Sequence, residues 1–361
     1  MIEQKEHFHG SDLEKIEKIY GVKKENIVSF AANVNPLGES GKLKTALSER
    51  IDAITKYPDR EYTSLRKAIG SYCKCDYNHI TVGNGCTELI SLFIQITAPK
   101  KALLLGPTYS EYERDLRING SDISYYFLKE KDDFKINPDE FISAITADTD
   151  LVIICNPNNP NGHVWKLEEI ENILQQYPQM TLVVDESFID FAPTAQPSEP
   201  LLASYPNLLV IHSMTKSYAI PGLRLGYMLG NESLIDRIKR FTHPWSVNAL
   251  AIEIGKFLLQ NGKYLLPDTG RLLKRKENFV RAFDELPGYS PVPSETSFFL
   301  IHTIHKSHVL KQELLKQFGI LIRDASNFRG LDEHYFRVNT LSDEKNQMLL
   351  RALRLLSIND L

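Results

Sequence analysis

The sequence predicts an α/β fold, a mostly parallel central sheet with helices on both faces, followed by a smaller α+β C-terminal domain. Short continuous apolar runs recur through the first two thirds of the chain, and segments of helical period separate several of them. Beyond about Ser246 the pattern changes. Strands buried on both faces read as continuous apolar runs, and their alternation with helices builds a parallel sheet.

The N-terminal stretch carries its own signal. Ser11-Asp12-Leu13-Glu14 has the spacing of a capping box, Ser11 accepting from an amide one turn in and Glu14 reaching back. His9 and Gly10 then precede a helix N-terminus, where amides and dipole favour an anion; an ordinary capped surface helix is the other reading. The expected strands are His79–Val82, Ala102–Leu105, Leu151–Ile154, Leu182–Val184, Leu208–Ile211 and Leu225–Leu229. Leu89–Ile96, Tyr112–Ile118 and Leu167–Leu174 read as helices between them. The C-terminal part offers helices over Val247–Leu259, Gly270–Phe283, Val309–Gln317 and Asp343–Leu356. Its strands are Ser297–Ile301, Gly319–Arg323 and Tyr335–Val338. The expected units are therefore an N-terminal arm, residues 1–40, packing with the small domain; a large domain, 41–245; and a small domain, 246–361.

Composition narrows the function. With 361 residues the chain suits about two domains. Its 42 Lys+Arg against 46 Asp+Glu are mixed in sign along the chain, unlike the basic footprint of a nucleic-acid binder. No apolar run approaches the ~20 residues of a membrane span, and the charged start lacks the apolar core of a signal peptide. Cys73, Cys75, Cys86 and Cys155 form no CxxC pair. A reducing, cytoplasmic setting is expected, with no metal, membrane or nucleic-acid partner.

Because ligands bind at the carboxyl ends of parallel strands, the residues just after each run carry the chemistry. Lys216 follows Leu208–Ile211, flanked by Ser213 and Arg224, both able to donate to an anion. A partly desolvated lysine loses preference for its charged form and becomes a usable nucleophile. A lysine beside a phosphate cradle is what pyridoxal phosphate requires, and Asp185, at the end of Leu182–Val184, supplies the carboxylate its pyridinium nitrogen needs. Asn156-Pro157-Asn158-Asn159-Pro160-Asn161-Gly162 offers an amide, although such clusters also make plain turns. Gly85, Cys86 and Thr87 open a helix and present amides to a phosphate. Tyr109 follows the next strand, where it either stacks on a ring or packs in the core.

Together these segments resemble the fold-type I pyridoxal-phosphate enzymes, the aminotransferase class I and II superfamily, over essentially the whole chain. Within it, several stretches are most similar to the threonine-phosphate decarboxylase family of cobalamin synthesis, itself similar to histidinol-phosphate aminotransferases. They include His9-Gly10, Ala31-Ala32-Asn33-Val34-Asn35-Pro36-Leu37-Gly38, Tyr57-Pro58-Asp59, Asp185-Glu186-Ser187-Phe188, Thr215-Lys216-Ser217-Tyr218-Ala219-Ile220-Pro221-Gly222-Leu223-Arg224, Pro244-Trp245-Ser246-Val247-Asn248 and Ile320-Leu321-Ile322-Arg323.

The resemblance implies Lys216 as the lysine that bonds the cofactor, Asp185 as the pyridinium partner, Asn159 at the ring oxygen and Tyr109 stacked on the ring. It implies Gly85, Cys86, Thr87, Ser213 and Arg224 around the cofactor phosphate, with Tyr57 reaching in from a second subunit of a homodimer. Arg337 would grip the substrate carboxylate, Arg323, His9 and Gly10 the substrate phosphate, and Asn33 the substrate. Many relatives carry tyrosine three residues after the aspartate; this chain has Phe188, as the decarboxylases do, and Tyr218 is a candidate for the missing hydroxyl.

The implied reaction is decarboxylation of L-threonine O-3-phosphate to (R)-1-amino-2-propanol O-2-phosphate. Transamination of histidinol phosphate uses the same lysine, aspartate and arginines and stays open at this stage. A non-catalytic cofactor-binding module would need neither both arginines nor the lysine. A dinucleotide-dependent dehydrogenase is disfavoured because no GxGxxG follows a strand.

Overall fold

The computed structural model describes residues 12–358. Seven strands form the central sheet, in the order Ile80–Gly83, Gly226–Leu229, Leu208–Ser213, Thr181–Asp185, Leu151–Cys155, Lys101–Gly106 and Asp122–Phe127. Six of them run in the same direction; Gly226–Leu229 is antiparallel to both neighbours. All six expected strands are present, with ends shifted by a residue or two.

Side chains alternate across the strands, and the alternation separates two cores. Leu103, Val152, Ile154, Leu182, Val184 and Val210 pack on one face with Trp165, Ile170 and Leu174 of the helix Leu167–Gln176 and its approach. Leu104, Ile153, Val183, Leu209 and Ile211 pack on the other with Leu89, Phe93, Tyr112 and Leu116 of the helices Cys86–Thr97 and Ser110–Ile118. Helices therefore cover both faces of the sheet.

A second, antiparallel sheet has the order Arg323–Asp324, Tyr335–Asn339, Phe298–Thr303 and Tyr289–Pro291. The expected strand Gly319–Arg323 is split around Ile322. Ile320–Leu321 instead pairs parallel with Val28–Ser29, so this short run serves two sheets. Phe30 continues into the core formed by Phe279, Phe299, Phe336 and Leu353, which ties the N-terminal segment to this part of the chain.

The first described helix, Leu13–Tyr20, is capped by Asp12, whose carboxylate accepts from the Lys15 amide at 3.0 Å. The N-cap thus stands one residue later than the capping-box spacing puts it; Ser11, the residue expected there, lies outside the described residues. Among the described residues no helix is long and apolar enough to cross a membrane.

Candidate active site

A cavity of about 520 Å³ opens at the carboxyl ends of the parallel strands, where the second sheet and residues 31–34 close over them. Its wall includes Asn33, Gly85, Cys86, Thr87, Tyr109, Asn159, Asp185, Ser213, Lys216, Arg224, Arg323 and Arg337. The structure thus brings together twelve of the expected site residues, drawn from widely separated segments.

Asp185 ends its strand buried, with both carboxylate oxygens held. Tyr112 Oη donates to Oδ2 at 2.6 Å, while the Ser187 amide and hydroxyl donate to Oδ1 at 3.0 and 2.6 Å. Three donors fix the carboxylate in one orientation. Tyr109, one helical turn before Tyr112, meets it edge-on with ring centroids 5.4 Å apart.

Lys216 lies just beyond the adjacent strand, its backbone carbonyl accepting from the Asn35 amide at 3.0 Å. Burial, reinforced by Arg224 and Arg337, lowers its pKa, while Cys86 and Asp185 act in the opposite direction. The amine is thereby moved toward the neutral, nucleophilic form. Its Nζ stands 6.0 Å from the Phe188 ring centre, and Phe188 presents no hydroxyl to the cavity. Tyr218 does not replace it. The Tyr218 side chain lines a different cavity, near Gly262, because the chain reverses between Lys216 and Ala219, the latter at φ 57°.

At the opposite wall, Gly85 caps the helix Cys86–Thr97 without a side-chain oxygen, leaving the first amides for a ligand. Gly85 has φ +89°, and a Cβ there would lie 2.3 Å from Arg224 Nη2. Only glycine lets that guanidinium approach the helix start. Arg224 itself takes the left-handed conformation, φ 56°, which turns it back over the turn.

The Asn-rich loop divides its labour. Asn158 and Asn161 are scaffolding: Asn158 donates to Pro107 O and Asn161 Oδ1, and Asn161 donates to Phe134 O. Asn159 faces the cavity and accepts from Arg337 Nη1, whose Nη2 donates to Ala31 O at 2.7 Å. Arg323 donates to Asn327 Oδ1 at 2.8 Å and lies 4.9 Å from the Phe328 ring centre. Both arginines are buried, and neither meets a carboxylate within ion-pair distance among the described residues. Burial lowers both pKa values, and for Arg337 the neighbouring Arg323 adds to the effect. Arginine does not give up its proton in proteins, so that cost persists until an anion arrives.

One expected contributor among the described residues, Tyr57, is not on the wall. Tyr57 is 82% exposed and packs against Trp245, the rings tilted at 41° with centroids 4.8 Å apart. His9 and Gly10 lie outside the described residues. Sequence reasoning missed Tyr112 and Ser187; only Ser187 had a local signal, its adjacency to Asp185.

A family model for aminotransferase class I and II matches residues 25–353. The chain belongs to that family. A threonine-phosphate decarboxylase from Salmonella typhimurium is 34% identical over 349 residues, covering 96% of this chain and 95% of that one. The crystal structure of L-threonine-O-3-phosphate decarboxylase from Porphyromonas gingivalis superposes with a TM-score of 0.85 at 32% identity, covering 92% of this chain and all of that one. A histidinol-phosphate aminotransferase from Methanocaldococcus jannaschii is 26% identical over 353 residues, 97% of this chain and 94% of its own.

The cavity of this class I and II aminotransferase-family chain fits pyridoxal 5′-phosphate. Asn33 Nδ2 and Oδ1 and Arg337 Nε are buried without a hydrogen-bond partner, and all belong to residues on the wall. Such orphaned groups cost free energy unless a ligand satisfies them. Four cationic side chains, Lys216, Arg224, Arg323 and Arg337, face two acidic ones, Asp185 and Glu111. That surplus suits a phosphorylated cofactor and an anionic substrate together. Gly85, Cys86, Thr87, Ser213 and Arg224 would hold the cofactor phosphate, Asp185 the ring nitrogen and Lys216 the aldehyde carbon.

Proposed function

We propose that this protein is a pyridoxal-phosphate-dependent decarboxylase converting L-threonine O-3-phosphate to (R)-1-amino-2-propanol O-2-phosphate, a reaction of cobalamin biosynthesis. One observation carries the substrate class. Arg323 and Arg337 pair directly across two antiparallel strands, so both guanidinium groups stand side by side in the cavity that holds Lys216. A substrate with a phosphate at one end and a carboxylate at the other satisfies both through charge-assisted bonds. Similarity to threonine-phosphate decarboxylases over nearly the whole chain supports the same reading.

When bound, pyridoxal phosphate supplies a protonated ring that accepts the electron pair left when a bond to the substrate Cα breaks. Asp185, fixed by Tyr112 and Ser187, holds the proton at the ring nitrogen. Arg337 grips the carboxylate and Arg323 the phosphate, with His9, Gly10 and Asn33 completing the grip. The two anchors orient the substrate so that the bond from Cα to the carboxylate, and not Cα–H, would be the one presented to the cofactor. Binding energy is used here for orientation. Lys216 then returns a proton to Cα.

Tyr57 stands exposed, away from its own cavity, where a second copy of the chain can receive it. We therefore place the protein as a cytoplasmic homodimer whose sites are completed across the interface. Its functional units are the arm 1–40, the large domain 41–245 and the small domain 246–361.

Product analysis tests the reading. Incubation with L-threonine O-3-phosphate should release CO₂ and form aminopropanol phosphate without amino transfer to 2-oxoglutarate. Amino transfer from histidinol phosphate to 2-oxoglutarate, without CO₂ from threonine phosphate, would replace the lyase with a transaminase.

A further inference from the structure

A second cavity, of about 580 Å³, lies beside the strand Leu208–Ser213 and shares only Ser213 with the catalytic one. The alternation that turns Asp185 toward the catalytic cavity turns Glu186 away from it, toward His212 of the neighbouring strand. Glu199, from the short helical turn Glu199–Ala203, completes a group of three. His212 Nε2 is 3.0 Å from Glu186 Oε2 and 2.8 Å from Glu199 Oε1, and the three atoms lie within 4.8 Å of one another.

The geometry is not that of a settled hydrogen-bonded triad. An imidazole nitrogen carries one hydrogen or one lone pair, so it serves one partner on its axis. Two carboxylates flank it here, and neither contact is aligned as a hydrogen bond. Glu186 Oε2 and His212 Nε2 are both buried and without a hydrogen-bond partner, and Glu186 is only 1% exposed. A divalent ion on a neutral imidazole would balance both carboxylates in this desolvated pocket. Asp190, held by Ser217 at 2.5 Å, adds a further carboxylate to the wall, whose one lysine is Lys74.

We propose that Glu186, Glu199 and His212 form a binding site for one divalent transition cation of the zinc type, separate from the catalytic cavity. One nitrogen and two carboxylate oxygens suit a borderline cation such as Zn²⁺. Three protein ligands leave a fourth tetrahedral position, which faces the cavity and takes water. Arms of about 2.0–2.1 Å set tetrahedral ligands about 3.3 Å apart, so the carboxylates need to open by roughly half an ångström around the ion.

The supporting shell is already built. The Ser198 amide donates to Glu186 Oε1 at 2.7 Å, leaving Oε2 for the ion. Tyr227 stacks on the His212 ring at 4.9 Å and 21°, fixing its plane. Cys73 Sγ stands 3.9 Å from Glu199 Oε1, a neighbour of the ligand set. The ion would pin the Glu199 turn to the strand ends that carry Asp185 and Ser213.

The test uses the full chain with its cofactor bound, freed of metal by a chelator and then titrated with Zn²⁺ against a chromophoric competitor. One zinc per chain is expected, with a melting temperature that rises with zinc concentration. His212→Gln and Glu199→Gln should each weaken zinc binding by more than about tenfold. If His212→Gln fails to fold, Glu199→Gln decides, since its residue sits on the short helical turn Glu199–Ala203 and not in a strand of the sheet; circular dichroism and cofactor absorbance verify the fold. Substoichiometric zinc in the wild-type protein, or zinc retained equally by the folded variants, would overturn the site.

Discussion

Arg323 and Arg337 occupy directly opposed positions on adjacent antiparallel strands. Like charges so placed repel, and here both guanidinium groups are buried without a carboxylate partner among the described residues. The protein maintains this unfavourable pair at the mouth of a cavity containing a nucleophilic lysine. The anionic substrate of the proposed function would relieve it.

Replacing either arginine separates their tasks. Arg323→Lys keeps a charge but loses the planar fork, and should raise KM for threonine phosphate at least about tenfold with a smaller effect on kcat. Arg337→Lys should lower kcat more strongly, because under the proposed function it would hold the carboxylate that must be oriented for its bond to break. Steady-state kinetics of the two variants with one substrate preparation distinguish these patterns.

Tyr112→Phe removes one of three donors to Asp185, and it deletes the hydrogen bond at 2.6 Å. Hydrogen bonds to charged groups contribute roughly 1.5–3 kcal/mol. The variant should fold, bind pyridoxal phosphate at least about tenfold more weakly, and turn over more slowly. Equilibrium dialysis with the cofactor and a thermal melt of the apoprotein measure the two effects separately.

Gly85→Ala acts at the phosphate cradle. A methyl group there meets Arg224 Nη2 at 2.3 Å, and the left-handed φ adds strain of about 1 kcal/mol. Cofactor affinity should fall while substrate KM, measured at saturating cofactor, changes little. An equal loss in both would mean that the cradle binds substrate phosphate.

Acid stability has an identifiable contributor. Glu113 accepts from Arg329 Nε at 2.8 Å and Arg117 Nε at 2.7 Å, joining the helix Ser110–Ile118 to the loop after Arg323–Asp324. Burial alone raises its pKa, but the hydrogen bonds from both arginines outweigh it and bring the value down to about 2. A carboxyl depressed on folding adds stability above its unfolded value near 4.3, and that stability is lost as pH falls through the folded value. Glu113→Gln should therefore lower the melting temperature by about 2–4 °C at neutral pH. The gap should close between roughly pH 5 and pH 2. A gap independent of pH would assign the loss to packing.

The central sheet was legible because its inner strands are continuous apolar runs. Asp122–Phe127 escaped because it is an edge strand with alternating, half-exposed residues and no such run. Strand direction was also hidden: nothing in Gly226–Leu229 marks it as antiparallel to its neighbours, since a strand buried on both faces looks the same either way. Lys216, Asp185 and Gly85 could be read from their positions after strands. Tyr112 could not, because its role depends on a helix bringing it over a strand 73 residues further along the chain. The Arg323–Arg337 register likewise exists only after the short strand breaks at Ile322.

The account rests on the bond that Lys216 and the paired arginines select. Its most direct measurement is the yield of labelled CO₂ from carboxyl-labelled L-threonine O-3-phosphate with the cofactor-loaded protein. The account predicts one CO₂ per aminopropanol phosphate formed, none with Lys216→Ala, and a large loss with unphosphorylated threonine. A protein that binds the cofactor through Lys216 yet releases no CO₂ from this substrate would contradict it.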